Sequence, residues 1–246
     1  KPIVKQDLFI LDKKKKNLKI NVLKGNENPP VLSIFRRFSS PVIWESDLSI
    51  DDYLFLFLND NDYFTRWDSG QFLMREIIKS KIIKKENDVL EASFINAIKQ
   101  LIKSLKITDP FFLSTLLTIP GLTELESLFE KVDPINIYKQ SLSFQFSIGI
   151  EILHDLRKLS ENLLLDINHE WPIGRGERKL LGTIWSYLAL AGDGNIIRNC
   201  VDSISNSSMT IARAALGALK PLDSHETEEA SNFFYKRWQD NPVVLD

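Results

Sequence analysis

The feature that most limits what this chain can become is a succession of short helical segments, each carrying its own start and stop signals. The succession begins near Ser46 and runs to the end of the sequence. In "SDLSIDDYLFLFLNDN", Ser49 is placed to cap a helix and acids fill the first turn. A second helix is predicted from Asp62 to about Lys81. "NDVLEASFINAIKQLIKSL" is amphipathic at helical spacing, with Val89, Phe94, Ala97, Ile98, Leu101 and Leu105 on its apolar side. "TDPFFLSTLLTI" opens on a Thr-Asp-Pro cap and stops at Pro120-Gly121. "LTELESLFEKV" follows. "DPINIYKQSLSFQFSIGIEILHDLRKLSENLLL" reads as one long helix with Pro134 near its start, and "RGERKLLGTIWSYLALAG" closes at Gly192. Three more helices are expected, from Asp193 to Ser205, Ser208 to Leu219 and Ser224 to Trp238. About ten short helices joined by short turns, without a strict sequence period, imply a mainly α fold: a helical superhelix, or α-solenoid, of degenerate helical hairpins.

Residues 1–46 read differently. "KQDLFILD" and "NLKINVLK" alternate as strands do, with Lys13 to Lys16 between them as a hairpin tip would be. Those lysines are either an anion-binding patch or a solvated turn that blunts a sheet edge; the turn is the simpler reading. "VLSIFRRFSSPVIWE" is expected to supply one or two further strands. The organisation is therefore read as 1–46, the end of a small Ig-like β-sandwich, followed by 47–246, a helical domain truncated at its end. The abrupt "GNENPP" junction, the start on Lys1 and the stop at "NPVVLD" suggest a piece of a longer polypeptide.

Composition narrows the function classes. Thirty-one Lys and Arg stand against 33 Asp and Glu, a net charge of -2, so neither nucleic acid nor an acidic membrane is implied as a partner. The longest apolar run, Tyr53 to Leu58, is too short to span a bilayer. The single cysteine, Cys200, lies in a helical pattern and reads as a small buried apolar residue, which fits a cytoplasmic setting.

The search for chemistry yields near-misses. His169-Glu170 starts like the zinc motif H-E-x-x-H, but its fifth position is Ile173 and Pro172 would break the helix. His225-Glu226 opens a helix with Glu229 at the fifth position; acids there also complement the helix dipole without a metal. His154 has no evident partner and reads as a partly buried helical histidine. "PIGRGERK", Pro172 to Lys179, could hold a phosphate at a helix start but lacks Walker spacing, so a plain loop into a helix is preferred. No nucleophile motif is present. On these grounds no catalytic residue and no metal ligand is assigned.

Two stretches carry a resemblance. "PPVLSIFRRFSSPVIWE" followed by "NDNDYFTRWDSGQFLM" resembles the C-terminal half of bacterial aminopeptidase N, zinc aminopeptidases with a matching strand segment and an Asn-Asp-x-Phe-x-Arg-Trp-Asp-Ala-x-Gln helix. The matching positions are Pro30, Val31, Ser33, Arg37, Phe38, Ser39, Pro41 and Val42, then Asn61, Asp62, Phe64, Arg66, Trp67, Asp68 and Gln71. "LTIPGLTELESLFEKVDPINIY" and "FFYKRWQDNPVVLD" also match, in the same order.

The resemblance implies removal of N-terminal amino acids from peptides by a parent enzyme. Zinc would be held there by motifs this sequence lacks, so the chain itself is expected to bind no cofactor and to be inert alone. Its partners would be the catalytic domain of the same polypeptide and, in the parent, peptide substrates. Its role would be to close the active-site chamber and limit access. Asp62, Arg66, Trp67, Asp68 and Gln71 are then a structural signature: Trp67 packing between helices, and Arg66 paired with Asp62, an i,i+4 neighbour, or with Asp68. Two other readings stay open: a free-standing α-solenoid that binds peptides or proteins, and an independent enzyme using His225 and Glu226.

Overall fold

The structure is a computed structural model that describes residues 8–17, 30–85, 87–104, 109–164, 173–206 and 208–245. Among these residues there are twelve α-helices: α1 (Ile50–Asn59), α2 (Tyr63–Ile82), α3 (Asp88–Ser104), α4 (Pro110–Leu117), α5 (Leu122–Glu126), α6 (Pro134–Glu151), α7 (Leu153–Leu164), α8 (Arg175–Leu190), α9 (Gly194–Asn206), α10 (Met209–Leu219), α11 (His225–Trp238) and α12 (Pro242–Leu245). Short 3-10 turns occupy Arg36–Phe38 and Lys220–Leu222.

Capping explains where several helices begin. Ser49 and Asp52 form a reciprocal capping box at α1. The Asp109 and Asp133 carboxylates accept the amides of Phe112 and Asn136, with Pro110 and Pro134 at the first helical positions. The expected apolar face of α3 is buried at Phe94, Ala97, Ile98 and Leu101. Val89 is an exception, 78% exposed in the first turn, and Leu105 lies outside the described residues.

The long helix expected after Pro134 is broken at Ile152, whose backbone (φ -119°, ψ 20°) leaves the helical region. Both α6 and α7 pack on α8, and the bend keeps both apolar faces against it. Helix α8 is the hub, touching α4, α6, α7, α9 and α10. Its Trp185, Tyr187, Leu188 and Leu181 are fully enclosed. Close crossings depend on missing side chains. A Cβ on Gly149 of α6 would sit 2.6 Å from the Tyr187 carbonyl, and one on Gly70 of α2 would sit 2.9 Å from the Phe57 ring.

A recurring device closes the helix ends. The last four carbonyls of a helix have no partner within it. Here side chains from elsewhere in the fold supply donors: Arg66 to Phe57 of α1, Tyr187 to Leu117 of α4, Arg237 to Ile204 of α9 and Thr227 to Leu219 of α10. Each bond satisfies an orphan acceptor and fixes one element against another.

The expected strands of the first region are not seen among the described residues. Residues 30–46 form an irregular segment around the 3-10 turn. Phe35, Arg37 and Phe38 have φ of 52°, 57° and 54°, which no strand accommodates. The Arg37 amide donates to the Asp62 cap of α2, and the Phe35 carbonyl accepts the Ser39 amide within the turn, so neither pairs with a strand. Most of "NLKINVLK" and the start of "KQDLFILD" lie outside the described residues.

Candidate functional site

The signature residues gather where the irregular segment meets the turn between α1 and α2. Asp62, 6% exposed, caps α2 by accepting the Thr65 amide at 3.0 Å and its hydroxyl at 3.1 Å. Its two carboxylate oxygens also accept the Arg37 amide, each at 3.1 Å. Arg36 reaches across to Asp60 at 2.8 Å and to Ser33 at 2.9 Å, and also bonds Asn61. Ser33 and Thr65 share a hydroxyl contact at 3.2 Å. Burial pushes the Asp62 carboxyl up, but the amides of Thr65 and Arg37, the Thr65 hydroxyl and the Arg36 charge outweigh it and hold it below its ordinary value.

Arg66 is placed differently from the expected ion pair. Its Nε donates to the Phe57 carbonyl at 2.9 Å, and its guanidinium lies 5.6 Å from the centroid of the Phe112 ring. The partner is the C-terminal end of α1, where a cation meets the negative end of the helix dipole. Burial draws its pKa down, against the influence of Tyr63 and Asp60.

Trp67 is partly buried against the core, with its ring 5.8 Å from Phe64. Burial pushes the Asp68 carboxyl above its ordinary value. The Arg75 charge and a hydrogen bond from the Trp44 side chain oppose this, and Glu124 adds to it. Gln71, 3% exposed, donates to the Thr118 carbonyl at 3.0 Å, just past the end of α4. Aromatic pairs frame the cluster: Tyr63 stacks on Phe112 at 4.1 Å and Tyr53 on Phe72 at 3.8 Å.

This arrangement spends its hydrogen-bonding capacity on itself. Asp62 is engaged on both oxygens, and Arg66 and Gln71 are tied to backbone carbonyls. A hollow of about 470 Å³ beside it is lined by Arg37, Phe38, Asn61, Asp62, Tyr63 and Phe64. It holds no nucleophile paired with a base. The sequence motif pointed to Asp62, Arg66, Trp67, Asp68 and Gln71, but did not reveal Trp44, Asp60 or Arg36, which come from other elements.

The remaining candidates are scattered. His225 and Glu226 are exposed at the start of α11, and the Glu226 carboxyl is held down by its own backbone amide and the Ser224 hydroxyl. His154 is exposed on α7 rather than partly buried. His169 and Glu170 lie outside the described residues. Among the described residues, no three His, Cys, Asp or Glu side chains converge as a metal site would require. Cys200 is buried in α9, and burial pushes its thiol up to about 12. "RGERK" opens α8 behind Gly174, whose φ of 70° makes the tight entry turn.

The helices, their shared core and their cross-capped ends define a helical repeat domain. The chain belongs to the family described as "Domain of unknown function (DUF3458_C) ARM repeats", whose profile matches residues 50–246. It is also 28% identical to aminopeptidase N of Caulobacter vibrioides over 231 residues, covering 89% of this chain and 25% of that protein. It is 25% identical to aminopeptidase N of Escherichia coli strain K12, covering 88% of this chain and 25% of that protein. The chain thus spans about a quarter of the length of these curated relatives. In fold it is similar to the crystal structure of Legionella pneumophila aminopeptidase A in complex with aspartic acid, with a TM-score of 0.71 and 22% identity, covering 86% of this chain and 26% of that one. Among the described residues, no helix is long and apolar enough to cross a membrane.

Proposed function

We propose that this chain is a non-catalytic helical part of a zinc aminopeptidase, and that it closes the chamber in which the parent enzyme removes N-terminal amino acids from peptides. The observation that carries this reading is the match to aminopeptidase N along 88–89% of the chain. By the resemblance to aminopeptidase N, the zinc is assigned to the parent's catalytic domain, and no reaction step is given to this chain. Asp62, Arg66, Trp67, Asp68 and Gln71 act as a structural joint that fixes residues 33–46 against α1 and α2. Residues 1–46 are the end of a preceding domain under this reading, and the catalytic domain of the same polypeptide is the partner. A cytoplasmic setting is proposed on the lone buried cysteine.

The test is size discrimination. The parent enzyme with residues 50–246 removed is compared with the intact enzyme on an aminoacyl anilide and on a long unfolded peptide, per mole of bound zinc. The anilide rate should persist while the ratio of long to short substrate rises. An unchanged ratio contradicts the role in access.

A further inference from the structure

Helix α6 is apolar on two faces. Ile137, Phe144 and Ile148 are buried in the core, where α6 packs on α2 and α8. Tyr138, Leu142, Phe146 and Ile150 follow one another at every fourth position on the solvent side. Leu142 is half-buried, and Tyr138, Phe146 and Ile150 are 41%, 47% and 46% exposed, so the second face has no cover. Ile135 is exposed one turn ahead of the row. Exposed apolar residues scattered singly need no explanation, but a continuous row marks a contact surface. The solvent side of a surface helix normally carries charge. From Pro134 to Glu151, Lys139 and Glu151 are the only charged residues.

The row has a definite shape. Residues four apart form a ridge inclined to the helix axis, and two such ridges interdigitate when helices cross at about 50°, the commonest packing class. A ridge of this kind fits a copy of itself across a two-fold axis. With the axis between Leu142 and Phe146, Phe146 of one copy meets Leu142 of the other, and Ile150 lies toward Tyr138. The charges agree with that direction. Lys139 stands near the N-terminal end of the row and Glu151 just past its C-terminal end. An antiparallel copy brings each Lys139 toward the opposite Glu151, whereas a parallel copy brings like charges together. Glu151 is exposed at the rim, 3.4 Å from Lys99 of α3 in the same chain.

We propose that the outward ridge of α6 pairs with the same ridge of a second copy of this chain, antiparallel across a two-fold axis between Leu142 and Phe146. One helix on each side supplies fewer residues than the roughly 20–30 per side of a standard interface, so the dimer is a weak one, dissociating in the micromolar range or above. Such a pairing does not depend on the aminopeptidase reading, and self-association alone reports it.

The full 246-residue chain is followed by sedimentation velocity from low micromolar to near-millimolar concentration. A monomer–dimer equilibrium is expected. Phe146→Glu places a charge beside the axis in both copies and should weaken the dimer about tenfold or more. Val243→Ser, which removes an exposed apolar side chain from α12, should leave it unchanged. If Phe146→Glu loses its helical circular dichroism, the two charge variants carry the test. Lys139→Glu and Glu151→Lys should each self-associate a few-fold less than the parent. Mixed in equal amounts, they should pair with each other more tightly than either pairs with itself, because the antiparallel heterodimer restores both attractive contacts. The proposal is overturned if the parent chain stays monomeric throughout, which leaves the ridge to another part of a longer polypeptide. It is also overturned if folded Phe146→Glu dimerises as the parent does, if Val243→Ser weakens the dimer equally, or if the mixed charge variants pair no better than each alone.

Discussion

Arg66 donates from Nε to the carbonyl of Phe57 at 2.9 Å, so a side chain of α2 closes the C-terminal end of α1. The bond links two helices that also pack along their length. Arg66→Ala leaves that carbonyl without its donor and removes a cation from the negative end of the helix. A loss of about 1–3 kcal/mol is expected in urea unfolding. Arg66→Lys should recover only part of it, because a flexible ammonium does not reproduce the fixed Nε geometry. Equal stability of Arg66→Ala and the parent would remove this bond from the account.

Gln71 plays the same part between α2 and the end of α4, through the Thr118 carbonyl at 3.0 Å. Gln71→Leu keeps comparable bulk but supplies no donor. It should cost about 1–3 kcal/mol for the unsatisfied buried acceptor, measured by chemical denaturation.

Asp62 and Asp68 should give opposite pH signatures. The Asp62 carboxyl is held low in the folded chain. Its contribution is fully present above the unfolded value of about 3.9 and is lost as pH falls through the folded value. The Asp68 carboxyl is held high. Between about 3.9 and its raised folded value the native state binds the extra proton, so stability falls as pH rises through that window. Asp62→Asn should therefore weaken the fold at neutral pH and converge on the parent in acid. Asp68→Asn keeps an acceptor for Trp44 and should be at least as stable as the parent at neutral pH. Urea midpoints followed from acidic to neutral pH test both; a neutral-pH loss in Asp68→Asn contradicts the assigned sign.

Two glycines should respond in opposite directions to the same change. Gly149→Ala forces a Cβ against the Tyr187 carbonyl, a backbone atom that cannot rotate away, and a loss of about 1–3 kcal/mol is expected. Gly217 in α10 has open space around the added atom. Gly217→Ala should stabilise the helix by roughly 0.5–1 kcal/mol. Melting temperatures of the two variants check the pair.

Cys200 is enclosed in α9 and burial pushes its thiol up to about 12. A thiol reagent at neutral pH should react with it only as fast as the chain unfolds, and at once in denaturant. Rapid labelling of the native chain would contradict the packing of α9 against α10 and α11.

The helices were legible because their signals are local. Ser49, Asp109-Pro110 and Asp133-Pro134 announce starts from side chains within one turn. The break at Ile152 was hidden because no proline or glycine occupies it; it follows from packing two helices on α8. The segment 31–46 read as strand but is a turn with Phe35, Arg37 and Phe38 at positive φ, where the Arg37 amide bonds the distant Asp62 carboxylate, a contact no local pattern announces. The motif pointed to Arg66, yet its partner was hidden because the acceptor is a carbonyl that only the folded α1–α2 turn brings near.

We propose that this chain serves within a larger zinc aminopeptidase, and the decisive measurement is on the native polypeptide, isolated from the source cells with an antibody against this chain. The account predicts a product far larger than 28.3 kDa that releases N-terminal amino acids in a zinc-dependent manner. A product near 28.3 kDa without that activity would contradict it and leave a free-standing helical binding module in its place.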